Sequence, residues 1–288
     1  MSRRKRSSRS ISAAERRLRT LAPEASTLRE TVADVVARLM LGVRCPPTDL
    51  AELGQKVGVY EIRYESIPGS GEVHKGKEGF RIICSSDQPH GRQRFTVAHE
   101  LAHVILENTG KGAPRAGESV ERICDMLAAE CLMPTARFES FLPPNPSLDD
   151  VSRLAGKFDT SITATAIRCG QLRAVSVFGV AGDRVKWGYG GVRGGSVSRL
   201  PDDVRVNVKT VMSGGWPDAT VYFHGGRCRG SYRGFEWIRS GPRSAVFLLR
   251  ALDGSPGSRL VAELRAGSAG TRTETGAQSA PHGEHHRR

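Results

Sequence analysis

The stretch Arg92-Gln-Arg-Phe-Thr-Val-Ala-His-Glu-Leu-Ala-His-Val-Ile-Leu106 decides how the rest of the chain is organised. Apolar residues recur in it at three- and four-residue steps and cover most faces, which predicts a buried central helix. Within it, His99 to His103 reads H-E-x-x-H. Residues four apart share one helix face, so both imidazoles can point at one metal ion, with Glu100 beside them to hold a water. This pattern is typical of zinc metalloproteases with a glutamate general base.

A purely structural interpretation of the same helix is also open. Polar side chains in an apolar helix need partners, because a buried polar group without one is costly. The two histidines could be core residues hydrogen-bonded to backbone carbonyls instead of metal ligands. The six cysteines are scattered without a C-x-x-C pair, which indicates reduced thiols and argues against a cysteine-only zinc site.

The net charge of +13 is concentrated at the start of the chain, where the first 20 residues hold eight Lys/Arg against the single acidic Glu15. This composition predicts a solvated, disordered basic tail, and the alternative is that the tail contacts nucleic acid without sequence specificity. No apolar segment follows the basic residues as in a signal peptide, and no run reaches the roughly 18 apolar residues of a membrane span. We therefore expect a cytoplasmic protein with no membrane association.

Upstream of the central helix, the pattern predicts two helices and a small sheet. The first helix starts at Thr27, which forms a capping box with Glu30. A short second helix runs through Leu50 and Val57, and strands are predicted at 59–64 and 80–84. The Gly-rich segments between these two strands are interpreted as a turn and a loop.

Downstream, a second amphipathic helix begins at Glu118 and ends near Pro134. Glu121 and Asp125 lie four apart on one face of it. If that face meets the His99 helix, Glu121 becomes a third zinc ligand and Asp125 can accept a hydrogen bond from a ligand imidazole. The alternatives are a solvated Glu121 near the helix start, where the dipole favours a carboxylate, and Glu130 as the ligand.

Together the two segments, Arg94 to His103 and Glu121 to Pro134, resemble the ImmA/IrrE family of bacterial metallopeptidases. That family typically shows R-x-F-T-x-A-H-E-x-x-H followed by E-x-x-A-N-x-F-A-x-x-L-L-M-P. The resemblance covers about half the chain, roughly residues 30 to 172. The departures from the pattern include Cys124 where alanine is usual, Asp125 where asparagine is common, and Leu127 where phenylalanine is common.

The resemblance implies a gluzincin-like site in which His99, His103 and Glu121 bind Zn2+ and Glu100 activates the water. It also implies a protein substrate, a helix-turn-helix transcriptional repressor cleaved in a stress or mobile-element response. Cys124 adds a soft potential ligand. If it closed the coordination sphere, the site would be a structural zinc in a non-catalytic regulatory or binding module.

Residues 147–172 offer another alternative, because a Ser-led helix, a short turn and a second helix could form a DNA-binding helix-turn-helix. The second helix offers Arg168 and Arg173 but few residues suited to base edges, and the pair could equally close the peptidase core. From Val175 onward, short alternating segments between Gly-rich turns predict strands.

The predicted fold is therefore α+β: a mainly helical, zincin-like peptidase core with a small sheet, followed by a β-rich C-terminal region. The predicted parts are a disordered basic tail (1–25), an ImmA/IrrE-like metallopeptidase domain (26–173), a β-rich domain of unknown role (174–265) and a disordered tail (266–288). The sequence does not indicate an oligomeric state.

Overall fold

The computed structural model describes residues 12–109, 117–173, 175–189, 195–196, 208–209, 212, 220–224, 227–232, 235–241 and 244–249. The chain divides into two compact units. The first ends at Phe138 and also takes in Phe158–Thr160, and the second comprises Glu139–Lys157 and the chain from Ser161 onward. The predicted tail at 266–288 lies outside the described residues. Among the helices of the described part, none has the length and apolar character needed to cross a bilayer.

The first unit combines helices with one small mixed sheet. Its elements are α1 (Ala13–Leu21), α2 (Leu28–Leu39), α3 (Leu50–Lys56), β1 (Val59–Glu65), β2 (Gly71–Gly76), β3 (Gly79–Ser85), α4 (His90–Asn108), α5 (Glu118–Leu132) and α6 (Thr135–Glu139). The sheet order is β1-β3-β2, with β1 parallel and β2 antiparallel to the central β3. The predicted capping box is present at the start of α2, between Thr27 and Glu30.

Helix α4 contains the H-E-x-x-H motif and is the buried helix that the sequence predicted. It packs against α5, α3, α1 and all three strands of the sheet. Seven of its apolar side chains are fully or almost fully buried; these are Val97, Ala98, Leu101, Ala102, Val104, Ile105 and Leu106. Arg94 fixes its first turns, since the guanidinium donates to the backbone oxygens of Asp159, at 3.0 Å, and Thr48, at 2.9 Å.

The predicted disordered tail extended to residue 25, but part of it is the ordered helix α1. Ser12 caps this helix by accepting a hydrogen bond from the backbone N–H of Glu15, at 3.2 Å. Ala14 and Leu18 are buried, at 1% and 0% exposure, where α1 contacts α2, α4 and α5. These two apolar residues, four apart, dock a helix that also carries three arginines, and the charge obscured them. Residues 1–11 lie outside the described part.

Strand β2 was also missed, because its sequence was interpreted as a turn and a loop. Gly71 to Gly76 pair residue by residue with Cys84 to Gly79 of β3. The strand is polar and mostly exposed, so it lacks the alternation that marks a half-buried strand. Its order comes from backbone pairing with β3, whose own side chains are largely buried.

Among its described residues, the second unit contains helices α7 (Leu148–Phe158) and α8 (Ile162–Leu172) and a seven-stranded antiparallel sheet. The strands of this sheet are β4 (Ser176–Ala181), β5 (Arg184–Tyr189), β6 (Gly195–Ser196), β7 (Thr220–His224), β8 (Arg227–Tyr232), β9 (Phe235–Gly241) and β10 (Ser244–Leu249). The sheet order is β6-β5-β4-β10-β9-β8-β7. Phe178 stacks on Phe247 at a centroid distance of 5.2 Å in its core. The carboxylate of buried Glu236 accepts a hydrogen bond from the backbone N–H of Leu148 at 2.6 Å, which ties the start of α7 to β9.

The predicted fold class is confirmed, since a mainly helical part with a small sheet precedes a β-rich region. The two helices proposed as a DNA-binding motif lie where the sequence placed them. Arg168 is buried, however, with 4% exposure, and Arg173 donates to the carboxylate of Glu139 and the backbone oxygens of Leu142 and Pro143. DNA binding by this segment stays a prediction, but neither arginine is held as a base-reading side chain would be.

Candidate metal centre

Helices α4 and α5 pack together and bring the two sequence motifs face to face. His99 and His103 lie one helical turn apart on α4, and Glu121 and Asp125 lie one turn apart on α5. Both pairs project into the interface, because the apolar stripes of the two helices fix which faces meet. The condition on which the sequence argument for Glu121 and Asp125 depended is therefore met.

Three donor atoms converge in this interface. The Nε2 atoms of His99 and His103 are 3.3 Å apart. The Oε2 atom of Glu121 lies 3.2 Å from Nε2 of His99 and 3.7 Å from Nε2 of His103. The Glu121 side chain is 46% exposed, so this cluster opens to solvent on one side.

The spacing of these atoms fits a zinc ion. With zinc–nitrogen and zinc–oxygen bonds of about 2.0–2.2 Å, neighbouring ligand atoms of a tetrahedral site lie about 3.3–3.6 Å apart. The three separations fall close to that range, so His99, His103 and Glu121 can form one face of a tetrahedron. Catalytic zinc sites have three protein ligands and keep the fourth position open, and this set of three side chains matches that number.

The other ring nitrogen of each histidine also has a partner on α5. Nδ1 of His99 lies 3.0 Å from Oδ1 of Asp125. Nδ1 of His103 lies 3.6 Å from Sγ of Cys124. Partners on the far nitrogen fix the tautomer and orientation of a metal-binding imidazole. Asp125 thus occupies the position that the sequence predicted for it.

A second candidate set of metal ligands contains the two histidines with Cys124 in place of Glu121. Ligand atoms of His99, His103 and Cys124 lie within 4.8 Å of one another and could hold a metal ion. We favour the set with Glu121, because the Cys124 contact goes to Nδ1 of His103 and the Nε2 atoms of both histidines face the carboxylate.

The environment shifts the pKa values of the two histidines in opposite directions. Burial acts to lower the pKa of His99, but the hydrogen bond to Asp125 and the surrounding carboxylates outweigh it, and the pKa is raised. Burial and the neighbouring His99 lower the pKa of His103. His103 is therefore the more readily neutral imidazole, which is the form that binds a metal.

Glu100 lies on α4 beside the cluster, with its side chain turned towards β2. Burial, with the charges of Glu121 and Glu72 and against the effect of His99, raises the pKa of Glu100 to about 7. A carboxyl group with a pKa near neutrality can both accept and return a proton at physiological pH. A divalent cation bound nearby would favour the ionised form and lower this pKa.

Glu130, the alternative third ligand, is used elsewhere. It lies nine residues after Glu121 and is buried, at 3% exposure. Its Oε1 accepts a hydrogen bond from the backbone N–H of Thr135 at 2.6 Å, and its Oε2 accepts one from the Thr135 hydroxyl at 2.9 Å. The carboxylate therefore caps the start of α6.

Sequence reasoning missed Gly71, which lies against the candidate general base. A Cβ atom at this position would lie 2.5 Å from Cγ2 of Thr96 and 3.2 Å from Oε1 of Glu100. Only glycine allows β2 to approach α4 this closely. A glycine within a strand is the one signal that could have marked it, but the strand itself was not recognised.

We expect Gly71→Ala to lower the free energy of unfolding by about 1–3 kcal/mol, because the methyl group overpacks a closed contact with Thr96. The matched control is Gly76→Ala at the other end of β2, where the nearest atom to a Cβ would be the Gly79 oxygen at an ordinary 3.8 Å. Chemical denaturation of both variants measures the difference. Equal stability of the two would contradict this account of Gly71.

Comparisons with known proteins bear on the same segment. Residues 56–169, which include both motifs, match the family described as Peptidase_M78, IrrE N-terminal-like domain. Curated proteins give no match. Among solved structures, a Mycobacterium tuberculosis transcriptional regulator is similar over 82% of this chain and 79% of its own, with 13% sequence identity and a TM-score of 0.46. A likeness at this level carries no argument about function.

Proposed function

Because residues 56–169 form an IrrE N-terminal-like domain of the peptidase M78 family, we propose that the chain is a zinc-dependent endopeptidase. The proposed zinc ligands are His99, His103 and Glu121, with Glu100 as general base and Asp125 as the partner that orients His99. The convergence of two imidazole nitrogens and one carboxylate oxygen at 3.2 to 3.7 Å carries this proposal.

Zinc bound at this cluster would polarise the scissile carbonyl and lower the pKa of a bound water towards neutrality. Glu100 accepts a proton from the attacking water and passes it to the leaving amine. Its position on α4, next to the ligand His99 and against Gly71 of β2, supports both roles. Asp125 keeps the His99 ring oriented by holding the proton at Nδ1.

Strand β2 offers a place for the substrate main chain. Among the described strands it lies at the edge of the small sheet, paired with β3 on one side. Gly71 brings this edge against Glu100. An extended peptide that added to the edge by main-chain hydrogen bonds would pass beside the general base.

The substrate we propose is a helix-turn-helix transcriptional repressor in the cytoplasm, cleaved in a stress or mobile-element response. This part of the proposal is supported by the resemblance to ImmA/IrrE proteins. A non-catalytic zinc module would instead need a closed site. The exposure of Glu121 and the position of Cys124 at the Nδ1 side of His103 favour the open one.

The test begins with full-length protein in which His282, His285 and His286 are alanine, so that the C-terminal histidines do not bind metal. We expect one tightly bound zinc per chain. We also expect cleavage of a quenched fluorescent peptide library or of candidate repressors, lost on treatment with a chelator and restored by one equivalent of zinc. Bound zinc with no cleavage of any substrate would favour the binding module, and no bound metal would contradict both.

A further inference from the structure

The Nδ1 atoms of the two histidines of the metal centre contact chemically different partners. Nδ1 of His99 meets the carboxylate of Asp125 at 3.0 Å, and Nδ1 of His103 meets the thiol of Cys124 at 3.6 Å. The two partners are consecutive residues of α5. The proposed function accounts for Asp125 but gives no role to Cys124.

The direction of the thiol contact argues against Cys124 as a metal ligand. Nδ1 and Nε2 point away from an imidazole ring in different directions, and a metal bound at the lone pair of one leaves the N–H of the other to donate a hydrogen bond. Nε2 of His103 faces Nε2 of His99 and the Glu121 carboxylate. Sγ of Cys124 therefore meets the Nδ1 side of the His103 ring and not the Nε2 side that faces Glu121, although it lies within 4.8 Å of a ligand atom of each histidine.

We propose that Cys124 is a positioning residue of the metal centre, whose sulfur accepts a hydrogen bond from Nδ1–H of His103 and so keeps Nε2 turned towards the metal. This inference rests on the proposed function, in which His103 is a ligand. It assigns a role to the position where the resembled family usually has alanine.

Cys124 is buried and His103 is partly buried, and the ring N–H of His103 on the Cys124 side needs a hydrogen-bond acceptor. Cys124 has 0% exposure, and the His103 side chain is 31% exposed. A buried ring N–H needs an acceptor, and sulfur is a weak one compared with the carboxylate that serves His99. On its Nδ1 side, His103 is thus held less firmly than His99, because its contact there is to a thiol.

The first test is zinc affinity in the full-length background without the three C-terminal histidines, measured by competition with a chelating dye. We expect Cys124→Ala to weaken binding by about tenfold, the lower end of what loss of such a partner costs. Cys124→Ser should recover part of the loss, because a hydroxyl can also accept the hydrogen bond. The matched control is Cys131→Ala, which removes an equally buried thiol from the same helix and should leave affinity unchanged.

The second test separates positioning from ligation and from simple loss of packing. With zinc bound, the slowly exchanging Nδ1–H signal of His103 should be present in wild type and Cys131→Ala and lost in Cys124→Ala, while the His99 signal persists in all three. In the cobalt-substituted wild type, we expect no sulfur-to-cobalt charge-transfer absorption.

Each contrary outcome has a definite meaning. A sulfur-to-cobalt band would overturn the inference and make Cys124 a ligand. Equal affinity and equal exchange in Cys124→Ala and wild type would overturn it while leaving the proposed function standing. Failure of the wild-type protein to bind zinc or cobalt at the interior site would overturn both, so the two failures are distinguishable.

Discussion

Replacement of Glu100 by glutamine is expected to leave zinc bound and to lower the rate of peptide cleavage by about 100- to 10,000-fold. Glutamine has nearly the same shape as glutamate and can pack against Gly71 in the same way. Its amide group, however, cannot take a proton from water at neutral pH. The measurement is kcat on a fluorescent peptide, beside the zinc content of the same preparation.

The matched control is Glu107→Gln on the same helix. Glu107 forms an ion pair with the exposed Lys75 at 2.6 Å, and ion pairs near the surface contribute little to stability. Cleavage by this variant should match wild type. If Glu100→Gln retained full activity with zinc bound, Glu100 would not be the general base.

Replacement of Glu121 by alanine is expected to reduce zinc affinity by more than the roughly 10- to 100-fold that loss of an outer partner costs, because a direct ligand is removed. The two histidines would remain, still in contact with Asp125 and Cys124, but one of the three proposed zinc ligands would be missing. Dye competition in the background without C-terminal histidines measures this directly. Peptide cleavage should fall with the bound metal.

The comparison that decides the third ligand is Glu130→Gln. Because Glu130 caps the start of α6 through Thr135, its neutralisation should lower the free energy of unfolding by about 1–3 kcal/mol and leave zinc affinity near that of wild type. A variant at Glu130 that lost zinc, beside an unaffected Glu121→Ala, would reverse the assignment.

The sequence anticipated most of the site because helical spacing is local information. Residues four apart lie on one face in any helix, so the H-E-x-x-H motif placed His99 next to His103 before the fold was known. The recognition of the ImmA/IrrE family is confirmed for residues 56–169, where both motifs lie. What the pattern could not decide was whether the Glu121 face of α5 would meet α4, since that depends on residues 22 positions apart in the chain.

Two elements, helix α1 and strand β2, were not predicted from the sequence. The basic composition around α1 concealed Ala14 and Leu18, which pack only because α2 and α5 provide a surface for them. Strand β2 has almost no apolar pattern and is ordered by pairing with β3. Non-local contacts of these kinds leave no periodic trace in the segment that makes them.

By itself, then, the sequence determined the α+β class, the buried helix α4 and the identity of the candidate ligands, because amphipathic periodicity and motif spacing act within a few residues. Only the tertiary structure decided the rest. It brought Glu121 to within 3.2 Å of His99, used Glu130 as a cap, and set the Cys124 thiol against Nδ1 of His103. It also placed Gly71 against Glu100. These relations depend on how α4, α5 and β2 pack, and packing is fixed by the whole core rather than by any one stretch.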